Sequence, residues 1–193
     1  MSDRIVSMHN IVLAILMVFL SSQATAFSQG NQIMIPNRGV GIGTSTTNIA
    51  AGPDVGSILN AHFFPGIQDY LMGNYGYAMA QMDYFLARPQ FSQMNPNQNQ
   101  YFSIGHYLRG MIYLYHAEGI GRHERAKQEF EAAIRRNSKN CFAYLELAHV
   151  YSFLGLKPAA VELLTEFLQT NPTSPAADQA RKDLTSLQTA KNE

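Results

Sequence analysis

Residues 141–172, CFAYLELAHVYSFLGLKPAAVELLTEFLQTNP, decide the fold of this chain. Tyr144, Leu147, Ala148 and Tyr151 in the first half recur three and four apart, as do Ala160, Leu164 and Phe167 in the second. That is the spacing of a helix with one buried stripe. Gly155 closes the first stretch and Pro172 ends the second. Pro158 stands in the first turn of the second, where a missing backbone N–H does no harm. The segment therefore predicts two helices joined by a short turn.

Toward the N-terminus the pattern returns. Ala126 and Ala160, Phe130 and Leu164, Ala133 and Phe167, and Ser138 and Pro172 are equivalent pairs. A constant offset of about 34 residues marks units that cannot bury their own apolar face and must stack on their neighbours. The earlier unit has a second helix at Arg122–Arg136 and a first helix at 101–117. Gly110 and Tyr113 match Ala148 and Tyr151 only if about four residues are inserted near 116–121. An insertion close to the 3.6 residues of one helical turn predicts a lengthened first helix with its apolar face still aligned. A weaker unit precedes it: 58–72, a turn at Gly73 and Asn74, then 75–88 with Ala78, Met82 and Phe85. After the last unit, Ser174 and Pro175 read as an N-cap and first helical residue. The helix they open, with Ala176, Ala180, Leu184 and Leu187 on one side, suits a cap over the final hairpin.

These units resemble the tetratricopeptide repeat family. Its motif places an aromatic, then Leu and a small residue, Tyr, Gly, Ala, Phe, Ala and Pro where this chain has Tyr144, Leu147, Ala148, Tyr151, Gly155, Ala160, Leu164, Phe167 and Pro172. Leu164 replaces the usual Phe, and Phe167 the usual small Ala. The resemblance implies an all-α domain over 57–190, a right-handed superhelix of about three hairpins: a degenerate repeat at 57–88, a loop at 89–100, a repeat with insertion at 101–138, a full repeat at 139–172 and a capping helix at 174–189. It also implies a concave groove lined by places two, five, nine and twelve of each first helix. Those places carry Asn60, Phe63, Ile67 and Tyr70, then Ile104, Tyr107, Met111 and Leu114, then Phe142, Leu145, His149 and Ser152. The residues are mostly aromatic and aliphatic, which argues against the subclass that clamps acidic tails with Lys, Arg and Asn. Such a surface suits an apolar peptide or amphipathic helix of another protein. The alternative occupant is the chain's own apolar piece at 32–35.

The N-terminus carries a targeting signature. Arg4 precedes the ten apolar residues 11–20, and Ala24 and Ala26 supply small residues for cleavage. Ten is half of the roughly 20 needed to span a bilayer, so a secretory signal peptide over 1–26 is expected, with an uncleaved anchor as the alternative. Residues 27–56, rich in Gly, Asn and Thr, form a tail. Gly39, Gly41 and Gly43 lack the Lys and the strand–helix frame of a phosphate loop. A periplasmic or secreted location follows, and the protein reads as an exported adaptor or assembly factor for an envelope protein. A permanent structural subunit of a larger complex is the second reading.

Composition excludes other classes. With 14 basic and 14 acidic side chains, the chain has no basic field for nucleic acid or anionic lipid. The lone Cys141 cannot form an internal disulfide and reads as a small buried group. His116, Glu118, His123 and Glu124 cluster around the inserted turn, but their spacing is no ligand signature, and His106, His62 and His149 read as packing residues. No cofactor, metal or catalytic set is expected, and the chain is read as a non-enzyme.

Overall fold

The computed structural model describes residues 55–87 and 99–189. All of these lie in the second of the two compact units into which the chain divides, 1–51 and 52–193. The expected signal peptide, the tail at 27–54, the piece at 32–35 and loop residues 89–98 fall outside the described residues.

The regular structure among the described residues is entirely helical. Helix α1 is one rod over 55–71. Its segments Val55–Ile58 and Phe64–Leu71 flank a π-helical turn, Leu59–Phe63, where the Phe64 N–H donates to the Leu59 carbonyl. It is followed by α2 (Tyr75–Leu86), α3 (Asn99–Tyr115), α4 (Arg122–Arg136), α5 (Cys141–Phe153), α6 (Lys157–Thr170) and α7 (Ala177–Thr189). Consecutive helices pack on one another along the described chain. The boundaries correct three expectations. Val55 and Gly56 belong to α1 rather than the tail, and Asn99 and Gln100 open α3 rather than close the loop. Helix α7 begins at Ala177, because the Ser174 hydroxyl is buried without a hydrogen-bond partner and caps nothing. At α5 the cap is Asn140, whose side-chain oxygen accepts from the Ala143 N–H at 3.3 Å.

The sequence periodicity reappears as a repeated core. Ala126, Phe130 and Ala133 of α4, and Ala160, Leu164 and Phe167 of α6, are all 0% exposed. Ala78, Met82 and Phe85 take the same places on α2 and are equally buried. Each large side chain so buried stabilises by about 1.5–3 kcal/mol. Facing them are small residues on the preceding helix. A Cβ on Gly110 would meet the Phe130 ring at 2.6–2.9 Å, and one on Gly66 would meet the Met82 methyl. In the last hairpin Ala148 shares a core with Leu164, and Phe167 fits by tilting against Tyr144 at 5.0 Å between ring centroids. The smallness lost at position 167 is supplied from α7 and the residue before it, where Ala176, Ala177 and Ala180 are buried.

Helix α3 has 17 residues against 13 in α5, but the difference lies at its N-terminal end, and the insertion near 116–121 does not extend it. Helix α3 ends at Tyr115 and α5 at Phe153, the same offset that relates Gly110 to Ala148. The extra residues lie in the turn at 116–121. Gly119 at φ 103° and Gly121 at φ 84° take left-handed conformations there, which end a helix far more readily than they extend it.

Candidate functional site

The places expected to line a groove lie on the first helix of each pair, and the fold treats them unequally. Phe63, Ile67, Tyr70, Tyr107, Met111, Leu114 and Leu145 are all buried in the folded chain. Phe63 packs between Phe85 and Tyr101 at 5.2 and 5.3 Å, and Tyr107 meets Phe130 at 5.8 Å. Asn60 is exposed, and Ile104, Phe142, His149 and Ser152 are half-buried. An open trough of aromatic and aliphatic side chains is therefore not what these positions form. The apolar members Phe63, Ile67, Tyr70, Tyr107, Met111, Leu114 and Leu145 are core, and Phe63 packs on the next hairpin as well as on its own partner helix. The accessible part lies mainly on α5.

Charged groups lie beside that part as well as apolar ones. Glu146, 1% exposed, lies beside the groove row of α5 and accepts from the Tyr115 hydroxyl of α3 at 2.8 Å. His149, one helical turn on, places Nδ1 3.7 Å from the Glu146 carboxylate, an ion-pair distance rather than a hydrogen bond. Its Nε2 lies 3.3 Å from Oδ2 of Asp183 on α7, itself buried. Asp183 Oδ1 accepts from Gln179 at 2.8 Å. Burial opposes charging of the imidazole. The hydrogen bond to Asp183, the proximity of Glu146 and the charge of both carboxylates outweigh it and raise His149 to about 9. At neutral pH the ring is thus a cation between two buried carboxylates, with both nitrogens protonated, Nε2 donating to Asp183 and Nδ1 facing Glu146 as an ion pair. Tyr70 and Tyr107 converge on the same place: burial first, then neighbours that include Glu146, pushes both phenols up. The site so assembled draws Tyr70 from α1, Tyr107 and Tyr115 from α3, Glu146 and His149 from α5, and Gln179 and Asp183 from α7.

Position 183 is position 149 advanced by one repeat, and position 179 is likewise Leu145 advanced. The row of first-helix places thus continues into α7 with polar residues, which gives that row an apolar end and a polar end. One signal for this was legible. Glu146 is the sole acidic or basic residue in α5, three positions before a histidine.

The inserted turn offers no metal centre. His116 stacks on Tyr75 at 3.5 Å and His123 on Phe153 at 5.2 Å, so the two rings are held by different aromatic partners. No group of three or more His, Cys, Asp or Glu suited to a metal occurs among the described residues. Elsewhere, Glu129 of α4 is tied to α3 by accepting from His106 at 2.8 Å and pairing with Arg109 at 3.2 Å. Arg109 Nε lies 3.2 Å from Asp83 without the alignment of a hydrogen bond. Burial pushes the Cys141 thiol up, away from the reactive thiolate. No described helix is long and apolar enough to cross a membrane.

No family model matches the chain, and no curated protein matches it.

Proposed function

We propose that this protein is a tetratricopeptide-like scaffold, exported from the cytoplasm, that holds a segment of another envelope protein against the first helices of its hairpins. The observation carrying this reading is the recurrence of one buried triad, Ala126–Phe130–Ala133 and Ala160–Leu164–Phe167, at the period of that family's motif. Stacked hairpins of this kind present their first helices as a shared surface. The contact surface is the accessible polar end, where Phe142, His149 and Ser152 are half-buried. A partner that meets it offers an apolar side chain to Phe142 and hydrogen-bonding groups to its neighbours. No catalysis is assigned.

The test is site-specific photocrosslinking in cells of the source organism, with the reactive residue at Phe142 or Ser152 and controls at Glu162 and Gln169, both exposed on α6. A discrete adduct at the first pair, absent at the controls and lost on Phe142→Arg at the companion site, supports the reading. Equal adducts at all four positions overturn it. N-terminal sequencing of the mature protein tests export: a start at Phe27 is expected, and a retained Met1 in the membrane fraction favours the anchor.

A second reading, a permanent subunit of a larger complex, draws on the turns between helices. Met72, Ile120 and Leu156 are large apolar residues exposed there, and Phe153 is exposed at the end of α5. Solvated turns seldom carry that much apolar surface. Co-purification of native extract at a constant stoichiometry would favour it over a transient partner.

A further inference from the structure

We propose that His149 is a proton-keyed latch: its charged ring ties α7 to α5 through Asp183 and Glu146, and loss of that proton lets α7 lift from the end of the stack while α3 to α6 stay folded. The geometry carries this independently of what the groove holds. Two buried carboxylates on different helices flank one imidazole, at 3.3 and 3.7 Å. A neutral ring keeps a single N–H. One carboxylate then loses its donor and faces a ring lone pair, while two buried negative charges remain without the cation between them. The departing proton goes to solvent.

Helix α7 is the element that yields. It packs into the last core through Ala180 and through Ala176 just before its first residue, with Leu184 and Leu187 only partly buried. Such small side chains remove little apolar area from water, whereas the hairpins bury Phe130, Leu164 and Phe167. The charged groups facing His149 are Glu146 on its own helix and Asp183 on α7, with Gln179 and Tyr115 as their neutral partners. Helices α4 and α6 also pack on α5 and contribute no charge to the ring. With His149 raised to about 9, the latch is shut at neutral pH and opens on the alkaline side.

The chain carries its own reporter. Cys141 is the one cysteine, is buried, and shares the core cluster of Ala176 and Ala180. Lifting α7 uncovers it. The full mature chain is labelled with a thiol reagent between pH 7 and 10, and each rate is normalised to the thiolate fraction of unfolded chain. In parallel, pulsed hydrogen exchange follows α7 and α3 to α6. The expected result is a rise in normalised labelling on the order of tenfold or more, centred on the His149 titration, with protection lost in α7 alone. His149→Gln should flatten that dependence, and Asp183→Asn should move its midpoint down. A flat profile in the unaltered chain, an equal rise in His149→Gln, or simultaneous loss of protection in α6 and α7 overturns the proposal. Exchange on the unaltered chain decides the matter even if a variant fails to fold.

Discussion

Gly110 is fixed by the ring it faces. A methyl group there would sit within 3 Å of three atoms of Phe130, whose 0% exposure leaves the ring nowhere to move. Ala gains about 1 kcal/mol over Gly in a helix interior, but overpacking costs about 1–3 kcal/mol. Gly110→Ala should therefore lower the urea unfolding free energy by up to about 2 kcal/mol. Gly66→Ala should cost less, since the atom it meets is the end of the flexible Met82 side chain. His149 gives a pH signature. Its folded value of about 9 lies above the ordinary 6.5, so its contribution is whole below pH 6.5 and vanishes as pH rises through 9. The ceiling is on the order of 3 kcal/mol, measured as the difference between the unaltered chain and His149→Gln in denaturant unfolding at pH 7 and pH 10. At this scale the sequence was half legible. Glu146 announced itself as a lone charge in an apolar helix. Its partners did not, because Tyr115 and Asp183 lie 31 and 37 positions away and only stacking brings them near.

Helices were easier to read than their junctions. The stripes of α4 and α6 follow from spacing alone, since a residue's neighbours three and four apart share its face whatever surrounds them. Truncation should report that equivalence: Phe130→Ala is expected to cost about 3–5 kcal/mol and Leu164→Ala about 2–5 kcal/mol, by chemical denaturation. The inserted turn shows where spacing stops being informative. Four residues added to a helix or to a turn leave the following stripe equally well in phase, so periodicity could not choose between them. What chooses is conformational: Gly119 and Gly121 adopt positive φ at little steric cost. The N-terminus of α7 was misplaced for a related reason. Ser-Pro is a good cap in isolation, but the buried Ser174 hydroxyl is turned away from any donor, and the chain makes a further turn before Ala177.

Across the whole molecule, the repeat pattern told which helices stack but not how much of their inner face remains open. Groove places were assigned from the register of the repeat, and register does not measure burial. Tyr107 and Met111 satisfy it and are core residues all the same. Among the described residues, exposed large apolar side chains lie on α2, at Tyr77 and Tyr84, and at or next to the turns, and substitution at the turns should separate assembly from folding. Ile120→Ser and Met72→Ser should each leave unfolding free energy within about 0.5 kcal/mol of the unaltered chain. A loss of co-purifying protein without a loss of stability, measured on the same preparations, would assign those turns to an interface.

Ile120, 105% exposed between two left-handed glycines, has a practical consequence. Backbone so displayed fits a protease cleft, and a single nick there would divide the polypeptide between α3 and α4 without breaking any helix. Because those two helices bury Gly110, Tyr107 and Phe130 together, the fragments should stay clasped and migrate as one species until denaturant separates them.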